Sequence, residues 1–310
     1  MNKLPHCRVA CAEPGRLAYR ARRCQRPVPG GLCDGGGAMS GLEVPGARLY
    51  YEATGAGPLF VLIPGAPGSA DSYRMIAGPL AEHYTVVAYD RRGFSHSALD
   101  GPQDYDHRVE TDADDVRRLI EHLSDQPAIV FGNSSGAIVG LEVLIHHPSS
   151  VRRLIAHEPP AVRQLADGRQ WLDFLASIYD SYRQSGMAPA MKEFSARMVA
   201  GPGRQIIGGG PKSEFFVANS TYWFEHEVRQ YPAITLDLDA LRRHADRIVL
   251  AVGRESRGFP SYEASAALGH KLGRELVEMP GGHLGYVTRA ADFARALRSC
   301  ISGTGEPDGQ

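Results

Sequence analysis

The sequence predicts an α/β protein with a mostly parallel, doubly wound sheet and one helical insertion. Three observations carry this. Short unbroken apolar runs recur along the chain, at Leu59–Ile63, Thr85–Tyr89, Ala128–Phe131 and Ile248–Gly253, and Val151–His157 reads as a further strand. Such runs suit strands covered on both faces of a parallel sheet. Between them lie segments with helical periodicity, so the order is strand then helix. From about Val162 to Tyr231 the apolar runs stop, and helical segments rich in aromatics take over.

Leu42–Val44 and Ala47–Glu52 read as a strand pair turned by Pro45-Gly46. Leu59–Ile63 is followed at once by Pro64-Gly65-Ala66-Pro67-Gly68. Ser72–His83 reads as a helix, and Thr85–Tyr89 as a strand ending in the turn Asp90-Arg91-Arg92-Gly93-Phe94-Ser95. In Val109–Leu123 the residues Val109, Val116, Leu119, Ile120 and Leu123 share a helix face. The Ala128 strand runs into Gly132-Asn133-Ser134-Ser135-Gly136, and a helix follows to Ile145. His146 and His147 sit at the negative end of that helix, a setting that explains them without a metal. Val151–His157 ends in Glu158-Pro159-Pro160. The insertion carries Trp171 and Trp223, both expected to face substrate. Ile248–Gly253 is again strand, Tyr262–Leu272 helix, Glu275–Met279 strand, and Asp292–Ile301 a closing helix. The expected division is residues 39–160 and 241–303 for the core, 161–240 for the insertion and 304–310 for a tail.

The first 38 residues differ from the rest. They hold seven basic residues against two acids and four of the five cysteines, Cys7, Cys11, Cys24 and Cys33. They lack an apolar stretch suited to an export signal, and the cysteine spacing matches no familiar zinc pattern. The expectation is a disordered extension, with Met39 as an alternative start. Beyond it only Cys300 remains, which fits a reducing cytoplasm. A net charge of −1 gives no reason to expect nucleic acid or an anionic membrane as partner. No apolar run reaches the length of a membrane span.

Gly132-Asn133-Ser134-Ser135-Gly136 fits G-x-S-x-G with Ser134 at its centre, between strand and helix. A sharp turn there forces the serine hydroxyl out of the sheet, and only small flanking residues fit against the neighbouring strand and helix. With the glycine-rich loop after Ile63 and Pro280-Gly281-Gly282-His283 after the last strand, the chain resembles the α/β-hydrolase superfamily from about Leu42 to Ile301. The resemblance implies the α/β-hydrolase type of sheet with a helical cap, and a triad in which His283 activates Ser134. It further implies an oxyanion hole from the backbone N–H of Ser135 and one from the loop after Ile63. Pro67 has no N–H to offer, so Ala66 is preferred, with Gly65 or Gly68 behind it. Many relatives have His-Gly where this chain has Pro64-Gly65. Glu158 is the preferred triad acid. Its neighbours His157 and Pro159-Pro160 give a solvated carboxylate little reason to be there, and some relatives place the acid after this strand, including lactonases of the zearalenone type. Glu255, after the later strand, is the alternative.

A serine nucleophile sets the chain apart from the dehalogenases and epoxide hydrolases of this fold, which use aspartate. The resemblance therefore implies a serine esterase or lactonase acting on a small ester or lactone with an apolar moiety, without metal or organic cofactor. Carbon–carbon bond hydrolysis, cofactor-free perhydrolysis and a small-molecule receptor are the other readings, and homo-oligomer formation is left open.

Overall fold

The protein is described here from a computed structural model, which covers residues 38–66, 68–209 and 213–302. The expectations for the N-terminal extension and for the tail at 304–310 lie outside the described residues.

The chain opens with β1 (Ala38–Val44) and β2 (Ala47–Thr54), paired antiparallel across a turn at Gly46. β3 (Leu59–Ile63) leads through a 3₁₀ turn into α1 (Arg74–Ala81), and β4 (Thr85–Tyr89) into the two-residue β5 (Ala98–Leu99). Then come α2 (Arg108–Leu123), β6 (Ala128–Asn133), α3 (Ser135–His146) and β7 (Val151–His157). The insertion holds α4 (Gly168–Ser185), α5 (Met187–Met198), α6 (Gly203–Gly209) and α7 (Phe216–His226). α8 (Leu238–Arg243), β8 (Ile248–Gly253), α9 (Pro260–Leu272), β9 (Leu276–Met279), α10 (Gly285–Thr288) and α11 (Ala290–Ser302) complete the chain.

The sheet order is β1-β2-β4-β3-β6-β7-β8-β9, with β5 beside β2. Pairing is parallel from β4 to β9. The unbroken apolar runs divide by alternation, because successive strand side chains point to opposite faces. Val61, Ile63, Val130 and Leu154 join the core under α2, α3 and α9. Phe60, Leu62, Phe131 and Ile155 join the core under α1 and α11. Full burial of each such side chain contributes about 1.5–3 kcal/mol, which fixes the register of the strands and hence the height of their C-terminal ends.

α4, α5 and α7 enclose an apolar cluster of their own, with Phe174, Ile178, Met198, Trp223 and Phe224 packed on Phe94 of the core. The return to the sheet comes earlier than residue 241. Tyr231, Leu236 and Leu241 already pack in the core beside α3, because the apolar side chains of this connection have the sheet-side helices to cover them. His146 ends α3 as expected, and its Nε2 lies 3.0 Å from Glu142 Oε2, one turn earlier.

Candidate active site

One cavity of about 380 Å³ is lined by residues at or just beyond the C-terminal ends of β3, β6, β7 and β9. Ser134, between β6 and α3, has φ 55° and ψ −124°. That backbone is costly for a residue with a side chain, on the order of 1–3 kcal/mol. The tight packing of the turn imposes it. A Cβ on Gly132 would lie 2.2 Å from Gly136 O, and one on Gly136 would lie 2.2 Å from Ile63 O. The Ser134 N–H is held by His157 O at 2.9 Å. Ser135 is the first residue of α3, where N–H groups have no intrahelical acceptor and the helix dipole favours negative charge.

Glu158 follows β7, also at positive φ (49°). Its N–H reaches across to Ala251 O on β8 at 3.0 Å, and its Oε1 accepts from Gly253 N at 2.8 Å. Its Oε2 stands 2.6 Å from His283 Nδ1. Burial alone would raise this carboxyl, yet the His283 hydrogen bond and the nearby imidazoles bring it down to about 2. An ionised carboxylate only accepts, so His283 Nδ1 carries the hydrogen of this contact. His283 and Ser134 line the same cavity. Glu255 is exposed on the 3₁₀ turn after β8.

Asn133 was not foreseen from the sequence. Its Nδ2 donates to His157 Nδ1 at 2.8 Å and to His283 O at 3.1 Å, and its Oδ1 accepts from Tyr286 OH at 3.2 Å. One amide thus joins β6, β7 and the loop after β9. The sequence signal was a buried-strand position ending in a polar residue beside the motif serine. His157 is fully buried; burial pushes its pKa down to about 4, so it is neutral. Its Nδ1 accepts from Asn133, so Nε2 bears the hydrogen, and that atom has no hydrogen-bond partner among the described residues.

The loop after β3 passes close to the serine. A Cβ on Gly65 would meet Asn133 O at 2.9 Å and Ser134 Cβ at 3.1 Å. Gly68 N donates to Gly65 O at 2.9 Å, so Gly68 is spent on the turn and cannot also be an oxyanion donor. Ala66 lines the cavity with Ser134 and Ser135. From the insertion come Phe194, Met198, Ile207, Trp223 and Val228. Trp171 is not among the lining residues: it stands on α4 with its Nε1–H on Asp167 Oδ2 at 3.1 Å. Among the described residues no cluster of metal-ligating side chains occurs, and no helix is long and apolar enough to cross a membrane.

A parallel sheet with a strained serine turn and a carboxylate–histidine pair at the strand ends defines the α/β-hydrolase class. The family model for the alpha/beta hydrolase fold matches residues 58–290, and the chain belongs to that family. It is 35% identical over 264 residues to YraK, an uncharacterized hydrolase of Bacillus subtilis (strain 168), covering 84% of this chain and 94% of that protein. It is 26% identical to a zearalenone hydrolase of Bionectria ochroleuca, over 81% of this chain and 92% of that one. Among solved structures, an enol-lactonase from Burkholderia xenovorans LB400 aligns with TM-score 0.65 at 18% identity, over 85% of this chain and 100% of that one. A thermophilic esterase from Thermogutta terrifontis also aligns with TM-score 0.65, at 19% identity, over 86% and 98%. These two likenesses share the fold.

Proposed function

We propose that the protein hydrolyses a small carboxylic ester or lactone through an acyl-enzyme on Ser134. His283 Nε2 takes the Ser134 proton as Oγ attacks the carbonyl, then gives it to the departing alcohol. The Ala66 and Ser135 N–H groups hold the oxyanion. Water, deprotonated by the same nitrogen, releases the acid. Glu158 holds His283 in the required tautomer and balances the imidazolium.

The observation that carries this reading is the 2.6 Å contact of Glu158 Oε2 with His283 Nδ1, made beside a serine at positive φ. It favours Glu158 over Glu255 as the acid. The apolar lining from Phe194, Met198 and Trp223 suits an apolar acyl or alcohol part. The helical insertion acts as the cap over this cavity. The relatives support hydrolysis, one being named a hydrolase and the other a zearalenone hydrolase.

The test is turnover of p-nitrophenyl acetate and butyrate by wild type and Ser134→Ala. Activity that vanishes in the variant supports the reading. Equal rates in both proteins would sink it.

A further inference from the structure

We propose that Arg91 is a positioning residue for the oxyanion loop, and that the helical insertion sets its position through Glu227. The inference rests on the ester-hydrolase reading above, which makes Ala66 an oxyanion donor.

Arg91 holds both ends of the turn that carries Ala66. Its backbone N–H donates to Gly68 O at 2.8 Å, and its guanidinium donates to Gly65 O at 3.0 Å. Ala66 lies between those two carbonyls in the chain. The direction of its N–H therefore follows from where Arg91 stands. Phe94 supports the assembly from below: its ring centroid is 4.8 Å from the Arg91 guanidinium carbon. A Cβ on Gly68 would collide with the same ring.

Arg91 is in turn held by the insertion. Glu227 directly follows α7, and its two oxygens accept from Arg91 at 2.7 and 2.9 Å. Asp112 Oδ2 accepts from Arg91 at 2.9 Å, and Arg108 shares Glu227 Oε1 at 2.9 Å. All four charged side chains are buried. A two-pronged guanidinium–carboxylate pair fixes orientation as well as distance. Glu227 also lines the cavity. A shift of α7 would therefore move the guanidinium, and with it the Gly65 carbonyl.

A buried ion cluster that only stabilises the fold would leave chemistry untouched in any variant that still folds. A positioning cluster affects the transition state more than the bound substrate. The experiment compares wild type, Arg91→Lys, Glu227→Gln and Ser134→Ala, each full-length and checked for folding by circular dichroism. The readouts are kcat and KM for p-nitrophenyl butyrate, and the affinity for butylboronic acid, whose tetrahedral adduct with a serine mimics the oxyanion. Losing one oxyanion donor outright costs about 10²–10³-fold in kcat; a loosened donor is expected to cost about 10- to 100-fold. In Arg91→Lys, kcat should fall by that factor, boronate affinity should weaken in parallel, and KM should stay within about threefold. Glu227→Gln should move the same quantities in the same direction and serves alone if Arg91→Lys does not fold.

Folded variants with wild-type kcat and boronate affinity overturn the inference. So does a rise in KM alone. If Ser134→Ala keeps full turnover, the ester-hydrolase reading fails instead. A wild type that neither turns over the ester nor binds the boronate overturns both. Boronate binding decides the matter on an enzyme too selective for nitrophenyl esters.

Discussion

The strand ends at β6 and β7 and the ion cluster under the insertion are both buried and polar, yet they are built on different terms. At the strand ends the polar groups are held by backbone: Glu158 by Gly253 N, Ser134 by His157 O. Two of those residues sit at positive φ, and one imidazole nitrogen is orphaned. Under the insertion the charged groups are held mainly by one another, with the backbone carbonyls of Gly65 and Arg92 also accepting from the arginines. Arg91 and Arg108 face Asp112 and Glu227, with Tyr231 OH on Asp112 at 2.6 Å. The first arrangement stores strain and keeps reactive atoms open to a cavity. The second matches charge with charge, although Arg91 Nε and Asp112 Oδ1 have no hydrogen-bond partner among the described residues and Glu227 borders the cavity. Isosteric changes should therefore remove activity from the first at little cost in stability, whereas removing a partner from the second should unsettle the fold.

The largest expected effect is at Ser134. Ser134→Ala should lower kcat for p-nitrophenyl butyrate by about 10⁴-fold or more, with the midpoint of urea unfolding nearly unchanged. Glu158→Gln should follow with a loss of about 10³–10⁴-fold, because the tautomer and the counter-charge are both lost. Glu255→Gln should stay within about twofold, being a change at an exposed position. A collapse in the Glu255 variant and not in the Glu158 variant would reverse the assignment of the acid.

On the other side of the comparison, Asp112→Ala removes one buried partner and leaves two arginines facing a single carboxylate. Urea unfolding should show a loss of about 3–5 kcal/mol, the cost of uncompensated buried charge. A loss below 1 kcal/mol would mean that the cluster is far more hydrated than its burial suggests.

The smallest effect depends on pH. His157 is held down to about 4 by burial, against about 6.5 when unfolded. Between those values the unfolded chain binds the extra proton at this residue, so the His157 contribution to stability falls as pH drops from 6.5 toward 4, while the raised carboxyls of Asp115 and Glu142 act in the opposite direction. The full span is worth about 3 kcal/mol. His157→Gln keeps a polar partner for Asn133 and should flatten that slope in urea unfolding measured at pH 7, 5.5 and 4.5. An unchanged slope would place the acid sensitivity elsewhere.

Much of this architecture was legible because its signals are local. β3, β4 and β8 match their apolar runs residue for residue, since a doubly covered strand is apolar along its length, and β7 matches in its bounds although it opens with Arg152 and Arg153 after Val151. The serine turn was legible because close packing admits only glycine beside it. Other features depend on partners far away in sequence. Nothing near Asn133 announces that it will bridge to residue 283, and Arg91 reads as a turn arginine until Glu227 is folded against it. The early return of the core at Tyr231 was hidden for the same reason: its apolar residues look like part of an aromatic insertion until α3 is there to cover them. α10 was missed because four residues after a Gly-Gly turn carry too little periodicity to be read.

The amide of Asn133 has a consequence for biosynthesis. It joins β6 to the carbonyl of His283, 150 residues further along the chain. A nascent chain that has already formed the serine turn still lacks His283, the proposed base, and the loop that carries it. On the proposed mechanism, competence at this site arrives only when the segment carrying His283 has emerged and docked. A chain that stops before His283 is, on the same mechanism, silent.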